Sequence, residues 1–161
     1  MINKGTKTSH LKVEEERQWF ILNVDNKILG RAATKIAALL IGSEKKDRSP
    51  HIDNGSFVVV LNAKKVALTG SKEEDKVYYR HSGTPGGLKT ESVSSLRKRK
   101  PQDLIRNAVN GMLPKSVNRK ERLARLKVYA DDVHPHKAQK PQEVNLSRVG
   151  FIPLLVEEKV L

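Results

Sequence analysis

Cysteine is absent from this 161-residue chain, and aromatic residues make up only 4% of it. Without cysteine there is no disulfide and no thiolate metal ligand, which fits a reducing compartment. No apolar run approaches the roughly 20 residues that a membrane-spanning helix needs. The scarcity of aromatic residues disfavours a broad sheet that stacks unpaired bases, and no motif typical of such sheets occurs.

The first 18 residues contain basic side chains but no apolar stretch, so they do not resemble a secretory signal. Glu14, Glu15 and Glu16 also argue against an organellar transit peptide, because such peptides are poor in acidic residues. We therefore expect the protein to work in the compartment where it is made.

Positive charge dominates the composition, with 31 Lys and Arg against 18 Asp and Glu and a formal net charge of +13. Residues 93–127 hold 11 of the basic residues and only Asp103 and Glu121 as acids. A solvated helical face usually interleaves both signs, whereas a nearly single-signed run favours a polyanion whose counterions are released on binding. The charge therefore predicts a phosphate-binding surface, for which RNA, DNA and an anionic membrane are the candidate partners. The membrane is the weakest candidate, because residues 93–127 lack a bulky apolar face.

Apolar patterning predicts an α/β fold. Residues 19–24 and 57–61 are typical of buried strands, and a helical pattern opens at Gly30 and ends at Gly42 between them. This strand–helix–strand order indicates a βα unit of a parallel sheet. Further strands are predicted at 66–68, 77–79 and 126–129, with a glycine-rich loop at 82–87. Helices are predicted at 92–100 and 101–113, followed by a basic segment at 115–125 that is helical near its end. After residue 133 we expect an extended tail, in which residues 151–156 dock on the body of the protein.

The segment 83–90 (GTPGGLKT) has the register of a nucleotide-binding P-loop and follows a predicted strand. Leu88 stands where the second glycine is required, and its Cβ would obstruct the backbone from approaching a phosphate. A nucleotide-hydrolysing enzyme is thus the disfavoured interpretation, and a loop that carries Lys89 to an RNA backbone is the favoured one.

Histidine and tyrosine side chains give two weaker signals. His134 and His136 flank a proline and suggest a metal site, but no third ligand stands at a suitable spacing, so contacts with neighbouring side chains are the better interpretation. Tyr78 and Tyr79 are successive strand residues and therefore face opposite ways, so we expect one in the core and the other beside RNA.

Several short motifs occur in order along the chain: LGR at 29–31, HIDNG at 51–55, VLNA at 60–63, VALTG at 66–70, DKVYYRHSGTPGGLKT at 75–90, GMLPK at 111–115, LKVY at 126–129 and HPHKAQKPQ at 134–142. This ordered set resembles the universal large-subunit ribosomal protein family thirteen, in its bacterial and plastid form. The resemblance implies a three-layer α/β/α fold around a four-stranded, mainly parallel sheet, with extended basic loops and a C-terminal tail. It covers residues 19–143, which we expect to form a single domain between extensions at 1–18 and 144–161.

The resemblance also implies a structural role in the large ribosomal subunit, with no catalysis and no cofactor. The expected partners are large-subunit ribosomal RNA and neighbouring large-subunit proteins, with no membrane and no small-molecule substrate. The expected location is a ribosome of a bacterial cytoplasm or of a plastid stroma. A nucleic-acid-binding regulator unconnected with ribosomes remains the alternative that composition alone leaves open.

Charge and resemblance together predict a set of residues that contact ribosomal RNA. They are Lys45, Lys46, Arg48, His51, Lys76, Tyr79, Arg80, His81, Lys89, Arg97, Lys98, Arg99, Lys115, Arg119, Lys120, Arg122, Arg125, Lys127, His134, His136 and Lys140.

Overall fold

A computed structural model describes residues 17–45 and 52–146. The expectations for residues 1–16 and 147–161, including the docking of 151–156, lie outside the described residues, and the domain boundaries remain a prediction. The elements in chain order are β1 (Trp19–Asn23), α1 (Leu29–Ile41), β2 (Phe57–Leu61), a 3-10 turn (Ala63–Lys65), α2 (Lys72–Asp75), β3 (Val77–His81), β4 (Leu88–Ser92), α3 (Val93–Arg99), α4 (Pro101–Met112), α5 (Arg119–Ala124), β5 (Leu126–Val128) and β6 (Gln142–Glu143).

The central sheet has four parallel strands in the order β5-β2-β1-β6. The register places Trp19 beside Phe57 and Val58 beside Leu126. A separate two-stranded antiparallel hairpin is formed by β3 and β4. The predicted α/β class and four-stranded parallel sheet are therefore confirmed.

The helices of the described residues pack on one face of the sheet. Strand side chains alternate between the two faces, so Leu22, Val58 and Val60 point together into the core against α1 and α4. Both crossovers, from β1 to β2 and from β2 to β5, step in the same direction along the sheet. Because such crossovers are right-handed, this shared direction puts their helices on the same side.

Residues 129–141, which form no helix, pack against the opposite face of the sheet near Trp19. Trp19 and Phe57 stack on this face with ring centroids 4.3 Å apart, and the His136 ring lies 5.1 Å from Trp19. The step from β5 back across the sheet to β6 runs opposite to the earlier crossovers, which places this segment on the other side. The third layer that the resemblance implies is thus formed by chain without helical structure.

Close backbone contacts hold the end of α1 against the segment that leads into β2. Gly42 ends α1 in the left-handed region at φ 78°, and its N–H donates to the carbonyls of Ala38 and Leu39. Gly55 lies so near α1 that an added Cβ would stand 1.8 Å from the Leu40 carbonyl oxygen. This approach positions the segment that contains Asp53 and Asn54 beside the basic side chains of Arg122 and Arg125.

Residues 66–68 differ from the sequence prediction, and one strand in this part of the chain was not predicted. Residues 66–68 contribute only an isolated bridge from Ala67 to Ile28 instead of a strand. Residues 77–79 do form a strand, but it pairs with β4 in the hairpin, and residues 83–87 form the turn. β4 was not predicted, because its sequence LKTES lacks the apolar alternation of a half-buried strand.

Candidate nucleic-acid interface

The β3–β4 hairpin presents the most exposed group of predicted contact residues. The register places Arg80 opposite Lys89 and His81 opposite Leu88. Tyr78 is half-buried against the core, and the ammonium group of Lys76 lies 5.3 Å from the centre of its ring. Burial raises the pKa of Tyr78. Its neighbour Tyr79 is 71% exposed, so the prediction that the two tyrosines divide between core and surface is confirmed.

Ion pairs join helix α3 to the hairpin and to α2. The guanidinium group of Arg99 donates to both carboxylate oxygens of Glu91 on β4, at 3.0 and 2.7 Å. Arg97 donates to Glu73 at 2.7 Å and also to the backbone carbonyl of Val66. Lys98 is exposed. Hairpin and helix therefore form one surface, on which the two arginines are engaged with the protein and Lys98 faces solvent.

The link between α4 and α5 forms a second basic surface. Lys115 and Lys120 are exposed, and Arg119 donates to the backbone carbonyl of Asn110 near the end of α4. α4, which has 12 residues and is therefore roughly 18 Å long, lies in the chain between α3 and this link. We call the first surface, formed by Arg80, Lys89 and Lys98, the hairpin patch, and the second, formed by Lys115 and Lys120, the linker patch.

Arg122 and Arg125 belong to the interior. Their exposed fractions are 4% and 5%, and both guanidinium groups donate to the carboxylate of Asp53. Arg125 also donates to the Leu40 carbonyl at 3.2 Å, and Arg17 approaches the same carboxylate at 3.5 Å. The structure thus does not place Arg122 and Arg125 on the surface with the other predicted contacts.

Asp53 stays ionised in this cluster. Burial alone would raise the pKa of its carboxyl group, but the hydrogen bonds and charges of Arg125, Arg122 and Arg17 outweigh burial and lower the pKa below 3.8. The carboxylate is the counter-charge that allows two guanidinium groups to be buried. Sequence reasoning missed this role, because Asp53 was seen only as part of the HIDNG motif.

The tail residues pack on the second face of the sheet. The Tyr129 hydroxyl lies 2.9 Å from Nε2 of His136, and the N–H of His136 donates to Nδ1 of His134. Burial, with the charges of His134 and Lys127, lowers the pKa of His136, so its ring is neutral near pH 7. Among the described residues no cluster of three or more His, Cys, Asp or Glu side chains could hold a metal ion. These histidines contact their neighbours, as the favoured interpretation has it.

The predicted contact residues fall into four groups by exposure. Those that lie exposed are Lys76, Tyr79, Arg80, His81, Lys89, Lys98, Arg99, Lys115, Lys120 and Lys140. Those that are partly buried are Lys45, Arg97, Arg119, Lys127, His134 and His136. Arg122 and Arg125 are buried, and Lys46, Arg48 and His51 lie outside the described residues. Lys100 and Lys137 are also exposed and were not predicted, although local charge marks both.

The P-loop interpretation does not match the structure. A P-loop connects a strand to the first turn of a helix, whose N-terminal N–H groups face the phosphates. Here residues 83–87 are the turn of a hairpin, and Leu88 to Thr90 continue as a strand. The Gly83 and Gly87 N–H groups donate to His81 and Thr84 within the turn.

Comparison with known proteins decides the family. A sequence profile described as ribosomal protein L13 matches residues 17–135. The chain belongs to the ribosomal protein L13 family. It is 50% identical over 140 residues to a "Large ribosomal subunit protein uL13" of Thermosipho africanus, covering 86% of this chain and 94% of the relative. Proteins of the same name from a Nostoc species and from Geobacter sulfurreducens are each 49% identical, over 134 and 143 residues, which is 83% and 89% of this chain and 89% and 99% of the relatives.

The resemblance to ribosomal protein family thirteen is therefore confirmed. Membership of the ribosomal protein L13 family makes the chain a ribosomal protein and not an enzyme. In the described part of the chain, no helix has both the length and the hydropathy needed to cross a membrane.

Proposed function

We propose that this chain is a structural constituent of the large ribosomal subunit that binds large-subunit ribosomal RNA and acts early in subunit assembly. The observation that carries the proposal is the identity of about one half, over most of the chain, with proteins named as large ribosomal subunit proteins. The net charge of +13 supports an RNA partner, because basic side chains release counterions from phosphates on binding. Its other partners are neighbouring large-subunit proteins.

The hairpin patch and the linker patch make the phosphate contacts in this proposal. Phosphate contacts position a protein without reading sequence, so two separate patches select RNA by the spacing of its backbones. Arg122 and Arg125 contribute indirectly, since their ion pairs with Asp53 hold α5 and β5 in place beneath the linker patch. The proposal involves no cofactor, no small-molecule substrate and no membrane.

The proposed location is the ribosome of a bacterium or of a plastid, which the bacterial origin of the relatives supports. The test is to tag the protein in its host and sediment a lysate through a gradient at high salt. We expect it to migrate with the large subunit under salt that strips loosely bound basic proteins. A protein that stays at the top of the gradient, or moves with RNA only at low salt, would overturn the proposal.

Early action is tested in the same gradients after a short pulse of isotope-labelled amino acids. We expect labelled protein to enter precursor particles before it enters mature large subunits. Its appearance in mature subunits alone would contradict the early role while leaving the structural role intact.

A further inference from the structure

The β3–β4 hairpin exposes an aromatic and apolar face that the core does not use. Side chains alternate along a strand, so Tyr79 and His81 project to the same face, and the register places Thr90 and Leu88 opposite them. Tyr79 is 71% exposed and Leu88 is 58% exposed. The other face carries Tyr78, which packs on the core. The fold therefore requires an apolar side chain at position 78 but not at position 79.

His81 adds an oriented hydrogen-bond donor to this face. The Gly83 N–H donates to Nδ1 of His81 at 2.9 Å, so Nδ1 is the acceptor. With Nδ1 accepting, the ring carries its N–H on Nε2, and that N–H is available to a ligand because the residue is exposed. A flat ring, an apolar neighbour and a fixed donor thus share one small surface.

The charge around this face indicates which ligand it takes. Arg80 and Lys89 are exposed and stand opposite each other on the Tyr78 face of the same two-stranded hairpin, and the carboxylate of the hairpin, Glu91, is paired with Arg99. An apolar protein partner would gain nothing from these two cations, whereas a nucleotide brings both a flat base and a phosphate. Every base has a π-face that stacks on an aromatic ring, but a base inside a duplex cannot reach one.

We propose that the face formed by Tyr79, His81 and Leu88, the stacking face, binds an unpaired nucleotide of the RNA. The base stacks on the Tyr79 ring, and His81 donates from Nε2 to the nucleotide. Arg80 and Lys89, which lie on the other face of the two-stranded hairpin, neutralise phosphates further along the RNA backbone as it passes around the hairpin. This inference rests on the proposed function, because it assumes that the chain binds RNA. It adds that the hairpin contacts an unpaired segment, while the linker patch contacts phosphates only.

The test compares two labelled probes of equal phosphate number, a twenty-nucleotide oligoadenylate and a blunt-ended, fully paired RNA duplex of ten base pairs, by fluorescence anisotropy with the full-length chain. Tyr79→Ala should weaken binding of oligoadenylate by about fivefold or more, the lower end of what one base stacked on an aromatic ring contributes. Binding of the paired probe and the salt dependence of both should stay unchanged, because no charge is lost.

Two further variants separate stacking from other effects. Tyr79→Phe keeps the ring and should bind like the wild type. Val133→Ala removes a side chain that is 81% exposed and lies outside both patches, and it should leave both affinities unaltered. If Tyr79→Ala binds oligoadenylate as tightly as the wild type, the stacking face is overturned and a protein partner becomes the better occupant. If the wild type binds neither these probes nor ribosomal RNA, both the stacking face and the proposed function are overturned.

A second measurement uses large-subunit ribosomal RNA itself. Tyr79→Trp places an indole on the stacking face, and a base stacked on it should quench the added emission, measured against the wild type, whose only tryptophan is Trp19. Unchanged emission at saturating RNA would overturn the proposal even though the RNA is bound.

Discussion

Arg125 and Asp53 are 72 residues apart in the sequence, yet they form a two-pronged ion pair in the interior. Both terminal nitrogens of the guanidinium group donate, each to a different carboxylate oxygen, one of them at 2.8 Å. The pair fastens the segment before β2 to the start of β5. Arg122 joins it through Nε at 3.2 Å. The two buried cations therefore share a single carboxylate as their counter-charge.

Replacing Asp53 with Asn should lower the free energy of unfolding by about 3–5 kcal/mol, because it leaves two buried guanidinium groups without a counter-charge. Urea denaturation of the two proteins measures this. Asp131→Asn is the matched control, since Asp131 pairs with Lys64 at 2.8 Å but on the surface, and it should cost about 1 kcal/mol or less. Equal losses in both variants would contradict the interior role of Asp53.

The stability that Asp53 contributes should depend on pH in the acid range. Because the folded-state pKa of Asp53 is lowered, the contribution is complete above the unfolded value of 3.8 and is lost as the pH falls through the folded pKa. The difference in unfolding free energy between wild type and Asp53→Asn should therefore stay constant from about pH 7 to about pH 5 and narrow only in stronger acid. Urea denaturation at stepped pH measures it. If the difference in unfolding free energy already narrowed near neutral pH, a group other than Asp53 would be responsible for the pH dependence.

Gly55→Ala should destabilise the fold by about 1–3 kcal/mol, the usual cost of forcing extra volume into a packed interior. The obstacle is the Leu40 carbonyl oxygen, a backbone atom that cannot rotate away. Gly111→Ala is the control, because Gly111 lies in helix α4 with nothing within 4 Å of an added Cβ. It should stabilise by up to about 1 kcal/mol, through the higher helix propensity of Ala. Thermal unfolding of both variants reports the opposite signs, and a loss of stability in both would contradict the prediction.

Neutralising Lys98, Lys115 and Lys120 together to Gln should weaken binding to large-subunit ribosomal RNA and reduce its salt dependence. Each lost phosphate contact lowers the slope of log K against log salt by about 0.7–0.9. A titration at several salt concentrations gives this slope. The control is Lys64→Gln with Lys65→Gln, because the ammonium groups of these lysines already pair with the carboxylates of Asp131 and Asp25. A slope unchanged in the triple variant would show that neither patch contacts phosphate.

The strand Phe57–Leu61 and the helix before it were predictable because the sequence features that specify them are local. Phe57–Leu61 is a continuous β-branched run, as suits a strand covered on both faces, and four of its five residues are buried. The helix before it follows from apolar residues at three- and four-residue spacing and from the glycine that ends it. β4 lacked any such signal, since its side chains are mostly exposed and its strand exists through pairing with β3.

For the candidate interface, the sequence predicted the excess of positive charge but not which basic side chains are exposed. Lys120 and Arg122 stand two residues apart in the same basic run, yet one faces solvent and the other is 4% exposed. What separates them is the carboxylate of Asp53, a contact between distant parts of the chain that local composition does not encode. Arg97 and Arg119 likewise donate to backbone carbonyls that only folding brings near.

The order of strands across the sheet also sets an order in time. β1 is the first strand of the sheet to leave the ribosome that synthesises it, but one of its neighbours, β6, is encoded roughly 120 residues later. At about 5–20 residues per second, β1 waits on the order of 6–24 seconds with that edge unpaired. An open edge is a template for pairing with another chain, so a nascent chain of this protein is most exposed to aggregation just before its tail crosses the sheet. The last residues to join the sheet therefore protect the first.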